Sequence, residues 1–401
     1  MTALYLYDDR IARGFEPFAL TRPCGELRAG IMLIRERWEQ AFGVRAAGFI
    51  GAPHLKDFEE TDAPAAATGV VPAGSVVVNS RCVPPLGWRA SVGRTGGAWQ
   101  CSGKVAALHV ASEMPISRVE EAATWLPMSP DSVVDVAGRW VDAPWSVIAS
   151  LTDQLRDDIA VAGPLLDCQH RDDIVRFGEH AVYLEQGATI EPYVVLDATA
   201  GPILVRRGAA VRAFTRVVGP CFIDAGATIL GDRVSGCSIG AGSHIRGEIS
   251  ESIVLGQANK GHEGFVGHSY LGRWVNLGAS TVTSNLKNTY GTVTMWTPDG
   301  MRDTGLIKLG TLFGDHVKTG IGLRLTTGSV IAAGSNIYGS TMPPKYVPPF
   351  SWGEGEQLTD YRLDKFMQTT ERAMSRRGVT LGARARAQLA AAHARRAELG
   401  A

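Results

Sequence analysis
Residues 259 to 290 are dense in His, Asn, Lys and Gly, with Lys260, His262, His268, Asn276, Asn285 and Lys287 inside one short stretch. Two chemistries suit such a set. A neutral imidazole titrates near the working pH and can take the proton that an attacking amine must lose. Imidazoles can instead ligate a catalytic zinc that keeps a water in its open position. Either chemistry needs a rigid wall behind the polar groups.

The flanking sequence supplies a candidate wall. Leu184, Ile190 and Leu196 lie six residues apart. After a slip of three, Val205, Val211, Val217, Ile223 and Ile229 keep the same step. Ile239 and Ile245 resume it, then Leu271 and Leu277, then Phe313, Thr319, Leu325, Ile331 and Ile337. Six is not a helix period, and a plain strand needs only two. A six-residue step is what one flat side of a triangular coil requires, with three sides making a turn of about 18 residues. Stacked coils bury a column of aliphatics that no single coil could bury. The chain has 47 glycines in 401 residues. That excess over the usual ~7% suits coil corners, where positive φ costs glycine nothing.

The pattern resembles the hexapeptide-repeat proteins, whose fold is a left-handed parallel β-helix. They are usually trimers and mostly acyltransferases, so the resemblance implies a homotrimer built through the coil. It covers roughly residues 180 to 340. Within it, Asn276-Leu277-Gly278-Ala279-Ser280-Thr281-Val282-Thr283-Ser284-Asn285 resembles the acetyltransferase half of the bifunctional enzymes that make UDP-N-acetylglucosamine. That family has an Asn-hydrophobic-Gly-Ala-Gly-Thr-x-Thr-x-Asn run, and only Ser280 departs from it. Counting back from Asn276 places His262 on the family's general base. The resemblance implies that Asn276 and Asn285 hold substrate or cofactor through amide hydrogen bonds. It implies that Lys260 meets a sugar phosphate as a point charge. Coenzyme A would lie in a crevice between subunits, with Lys287, Lys308 and Lys318 as candidates for its phosphates. A tyrosine that the family places three residues after the histidine is Phe265 here. A second hexapeptide-repeat group, the gamma-class carbonic anhydrases, holds zinc through three histidines, and resemblance to it implies His262, His268 and His316 as candidate ligands.

The first 165 residues lack the six-residue step. An apolar strand, Ala3 to Tyr7, leads to Asp8 and Asp9. Leu27, Ile31, Ile34 and Trp38 share one helical face, and Pro23 suits its first turn. Strand, polar loop and helix N-terminus make a candidate phosphate site with Thr21, Arg22 and Arg28. Thr21-Arg22-Pro23-x-x-Glu26-Leu27-Arg28-x-Gly30-Ile31 resembles a divergent sugar-1-phosphate nucleotidyltransferase start, and Val78-Asn79-Ser80-Arg81 resembles that family's Val-Asn-Gly-Arg segment. The resemblance implies nucleoside triphosphate and sugar phosphate as substrates and Mg²⁺ as cofactor. Departures are definite. The Gly-x-Gly-Thr-Arg loop is absent, Ser146 and Leu151 replace an expected aspartate and asparagine, and Asn79 stands where a magnesium-binding aspartate is expected. Metal binding then falls to Asp158.

These parts imply three segments. Residues 1–165 form a divergent nucleotidyltransferase-like α/β domain, 166–345 a left-handed β-helix acyltransferase domain, and 346–401 a helical tail. Tyr361 to Arg377 and Gly382 to Leu399 read as two helices with a basic excess, expected to be a solvated face. Forty basic and forty acidic residues balance, which argues against a general nucleic-acid binder. No apolar run reaches membrane-spanning length, and the six scattered cysteines contain no C-x-x-C pair. A cytoplasmic protein is expected. The functional expectation is nucleotidyl transfer to a sugar-1-phosphate joined to acetyl-CoA-dependent N-acetylation of an amino sugar phosphate. The alternative is nucleotidyl transfer alone, with the coil as a trimerisation scaffold.

Overall fold
The computed structural model describes residues 3–90, 97–122 and 133–400. The chain forms two compact units, one of Met1–Phe15, Ala19–Ser146 and Gly382–Ala392, the other of Glu16–Phe18, Val147–Leu381 and His393–Ala401. No helix among the described residues is long and apolar enough to cross a membrane.

The first unit is built on a six-stranded sheet. Its strands are β1 (Leu4–Tyr7), β2 (Ala46–Ile50), β3 (Val76–Asn79), β4 (Ala98–Cys101), β5 (Lys104–His109) and β6 (Val133–Asp135), in the spatial order β6-β4-β5-β3-β1-β2. β1 runs parallel to β2 and β3, and β5 runs antiparallel to β3 and β4. Val76, Val77 and Val78 are all buried, as a central strand covered on both faces requires. The ends of β1 and β3 deliver Asp8, Asp9, Asn79 and Arg81 to one edge of the sheet.

The helix expected from Pro23 starts later. Cys24–Glu26 is a single 3-10 turn, and Arg28–Ala29 pairs antiparallel with Met32–Leu33. Gly30, at φ 64°, opens the two-residue turn between them, a conformation that favours glycine. Helix α1 runs only from Ile34 to Phe42 and ends on Gly43 in the left-handed region. Leu27, Ile31, Ile34 and Trp38 are buried all the same. The apolar face was real, but a hairpin and a helix share it. Helix Ala383–Ala394 returns to this unit, where the Gln388 amide donates to the Thr21 carbonyl at 3.2 Å.

The second unit is a parallel β-helix. Three sheets of parallel strands stack coil on coil, the longest with nine strands from Val182–Leu184 to Tyr346–Val347. Every residue of the six-residue step is buried, from Leu184 to Ile337. One inward ladder runs Val205, Ile223, Ile239, Val254, Leu271, Phe313, Ile331 and Val347. Each such side chain stabilises by about 1.5–3 kcal/mol on burial. Close approach also selects glycine. A Cβ on Gly278 would lie 2.5 Å from the Gly320 carbonyl oxygen of the next coil.

The step loosens where an antiparallel hairpin, Thr294–Thr297 with Gly300–Asp303, interrupts the stack. The coil ends when Ser351–Glu354 pairs antiparallel with Gln357–Asp360. Helices α2 (Leu151–Ala162) and α3 (Leu363–Ser375) belong to this unit.

Candidate active site
Lys260 occupies a place on the inward aliphatic column. It is in register with Ile245 of the preceding coil and is fully buried. Its Nζ donates to the carbonyls of Glu263 at 2.8 Å and Arg246 at 3.4 Å, and to that of His262. Burial pushes this ammonium down to about 8. An ammonium has three donors, and all three are used here. Lys260 was expected to meet a sugar phosphate. It instead clamps the turn that carries His262, because a chain crossing this corner needs its carbonyls satisfied inside the coil. His262 itself is exposed.

Asn285 meets a different histidine. Its Nδ2 lies 2.9 Å from Nδ1 of His268, whose Nε2 faces Glu251 Oε2 at 3.4 Å. The His268 ring holds the Glu251 carboxyl below its ordinary range. Glu251 and His268 both sit in the left-handed region, at φ 44° and 46°. Glu251 was missed in the sequence reading, though a signal existed. Positions 251, 268 and 285 fall at equal steps of 17, one coil each. The same spacing relates Asn259 to Asn276, whose side chains bond at 2.9 Å. Lys287 bonds the Thr292 carbonyl, and Lys308 is exposed.

Asn276 lines a cavity of about 510 Å³ together with Lys318, Trp274, Arg372 of α3 and the two arginines that follow that helix, Arg376 and Arg377. From the sequence those arginines read as a solvated face and not as an anion site, because their spacing shows an exposed helix face and not what it covers.

The zinc alternative does not fit this geometry. Both ring nitrogens of His268 are engaged, and the His316 ring packs against Trp274 and Phe366. Among the described residues no three His, Cys, Asp or Glu side chains form a metal-holding group.

In the first unit the expected phosphate ligands serve the fold. Arg22 is buried and paired with Glu60 at 2.8 Å, and Arg28 donates to the Ile31 carbonyl at 2.7 Å. Glu26 binds Arg35 at 2.6 Å. Thr21, also buried, offers its carbonyl to Gln388. None of them stands at the N-terminus of α1, which begins only at Ile34. Asn79 donates to Asp9 at 3.1 Å and accepts the Arg81 N–H at 2.9 Å. Arg81 grips Asp9 at 2.7 Å. Burial would raise the Asp9 carboxyl, but the bonds from Arg81, the Ala12 N–H and Asn79 outweigh it and hold it low. Asp8 is buried and has no ion pair among the described residues, and burial pushes it up to about 6.

Asp158 was the candidate magnesium ligand. It is buried within α2, where Gln154 donates to its Oδ1 at 2.8 Å. A hard divalent cation needs a carboxylate open to water and phosphate. This donor set does not fit one.

Comparison with known proteins bears on both halves. Residues 4–163 match the family model described as sugar nucleotidyl transferase. The nucleotidyltransferase-like domain therefore precedes the β-helix, as the order of motifs implied. A bifunctional sugar-1-phosphate nucleotidylyltransferase/acetyltransferase of Sulfurisphaera tokodaii is 33% identical over 91 residues, covering 23% of each chain. A bifunctional GlmU protein of Jannaschia sp. is 34% identical over 108 residues, covering 26% of this chain and 23% of its own. The chain thus spans about a quarter of the length of these curated relatives. A solved structure of AntD, an N-acyltransferase from Bacillus cereus, aligns with 49% of this chain and 90% of its own, at 9% identity and a TM-score of 0.21.

Proposed function
We propose that this chain is a two-part transferase of nucleotide-sugar synthesis, in which the β-helix moves an acetyl group from acetyl-CoA to the amine of an amino sugar phosphate. The observation that carries the reading is His262. It is exposed, it follows the resemblance onto the base position, and its turn is fixed from within by Lys260. The amine nitrogen attacks the thioester carbonyl and its proton passes to the His262 imidazole, while the C–S bond breaks and the CoA thiolate leaves. A clamped turn keeps the base where the amine arrives, which is the positional part of catalysis. The ring of His268, held by Asn285 and Glu251, is a support for that wall.

The first unit would transfer a nucleotidyl group from a nucleoside triphosphate to a sugar-1-phosphate, a reading supported by the family match over residues 4–163. No step of that half is derived through magnesium. We place the protein in the cytoplasm as a homotrimer built through the coil. The test mixes acetyl-CoA with glucosamine-1-phosphate and follows free thiol. Equal background release from wild type and His262→Ala overturns the acetyl-transfer reading. A second reading, nucleotidyl transfer with the coil as scaffold, is favoured by the same family match. Pyrophosphate release from UTP and a hexose-1-phosphate, without thiol release, selects it.

A further inference from the structure
The outward face of one coil side carries a polar ladder. His244, Asn259, Asn276 and Lys318 are stacked in register, one per coil. Their inward neighbours in the chain, such as Ile245 and Leu277, fill the core.

Helix α3 lies over this ladder. Its buried face uses Phe366, Met367, Thr370 and Met374. The adjoining face presents Thr369, Arg372, Ala373 and Arg376, at helical spacing, to the cavity of about 510 Å³ between helix and ladder. Arg377 follows the helix and donates to the Gly242 carbonyl at 2.9 Å and to Nε2 of His244 at 3.1 Å.

The charge is one-sided. Arg372, Arg376 and Arg377 converge on this space beside Lys318, whose Nζ donates to the Trp274 carbonyl at 2.7 Å and to that of His316 at 3.4 Å, and among the described residues no carboxylate lines it. Neither Arg372 nor Arg376 makes an ion pair among them. Like charges held together raise the energy of the empty pocket, and an anion entering it removes that cost. Lys318 feels its surroundings, since burial pushes it down to about 8, which still leaves it charged at neutral pH. Burial and the Arg377 charge lower His244, which suits it to accept from Arg377 in the neutral form. Trp274 adds an aromatic wall, and the amides of Asn259 and Asn276 add donors and acceptors. The volume falls in the range of small-molecule sites.

We propose that the cavity between α3 and the His244–Lys318 ladder is a binding site for a phosphorylated nucleoside, with Arg372 and Arg376 as its phosphate ligands and Trp274 beside its base. The basic face of α3 then binds a ligand and is not only a solvated surface. This goes beyond the acetyl-transfer reading and does not depend on it, because binding here is measurable whether or not an acetyl group moves.

The nucleoside has two possible sources, the adenosine end of coenzyme A or a pyrimidine nucleotide. Calorimetry of the full chain with 3′,5′-ADP in one arm and UDP in the other separates them, the tighter arm naming the source. Arg372→Glu and Arg376→Glu are each expected to weaken the tighter ligand at least tenfold, and Trp274→Ala to weaken it severalfold. Lys365→Glu changes the charge equally on the same helix outside the cavity, and is expected to bind as wild type. The proposal is overturned if neither nucleotide binds wild type, if the arginine variants bind as wild type, or if Lys365→Glu weakens binding as much as they do. Failure of thiol release alone would sink the acetyl-transfer reading and leave this one standing.

Discussion

Asn285 presents its amide nitrogen to Nδ1 of His268 at 2.9 Å. That bond leaves the ring proton on Nε2, the nitrogen that faces Glu251. The resemblance implies a substrate contact for Asn285, and the fold already employs it. Asn285→Ala leaves a nearly buried ring nitrogen without its partner. A loss of about 1–3 kcal/mol is expected, read as a lower urea midpoint with unchanged slope. A variant with the wild-type midpoint would show that the bond carries no stability.

His262 predicts the opposite pattern. Its side chain is exposed, so His262→Ala should melt with the wild type. Acetyl transfer should fall about 10²- to 10⁴-fold, the usual contribution of a general base. A variant that keeps kcat/KM, or one that loses both activity and melting temperature together, contradicts the assignment.

Lys260 links those two outcomes. Lys260→Met leaves three carbonyls of the His262 turn without their donor, so both stability and acetyl transfer should drop. Its pH signature has a definite sign. The native ammonium titrates near 8, below the ordinary 10.5, so the unfolded chain binds more protons between those values. This group's contribution therefore makes wild type more stable as pH rises from about 8 to 10.5. Lys260→Met lacks that contribution, and the gap between the two proteins should widen across the interval. A constant gap argues against burial of the charge.

Asp8 gives the complementary case. It is buried, and its carboxyl is raised from 3.8 to about 6. Between those values the native state keeps a proton that the unfolded state releases, so stability falls as pH rises through this window. Above it the cost is about 3 kcal/mol. Asp8→Asn keeps an acceptor for the Cys24 N–H and removes the charge. It should be more stable than wild type at pH 7 to 8, with the advantage gone by about pH 4. Parallel stability curves for the two proteins would refute this.

Gly278 tests the packing of the motif itself. An added methyl would meet the Gly320 carbonyl oxygen at 2.5 Å. Gly278→Ala should cost about 1–3 kcal/mol or more through overpacking, seen as a lower melting temperature. An unchanged melt would mean that adjacent coils can separate locally.

The inward column was legible because its cause is periodic. Val205, Val211, Val217, Ile223 and Ile229 repeat at a six-residue step that only a flat coil side explains, and each is buried where the step puts it. The exception at Lys260 was not legible. A lysine on an aliphatic column looks like a surface charge until its three carbonyl partners are seen. Arg22 and Arg28 misled for a related reason. Charge type signals phosphate affinity, but Glu60 lies 38 residues on from Arg22, and no local pattern announces that pairing. The start of α1 was misplaced because an apolar face does not distinguish a long helix from a hairpin leading into a shorter one. The basic face of α3 was legible as a face, but only tertiary structure says what it covers.

The antiparallel closure at Gln357–Asp360 has a consequence for assembly. An end coil of a parallel solenoid offers an unpaired rim that another coil of the same direction can extend. Left open, such a rim would let molecules add head to tail without limit. The reversed strand presents the wrong polarity to a further parallel coil on this side. The strand pair that ends the coil is thus a terminator, discouraging fibre growth through the sheet that it closes.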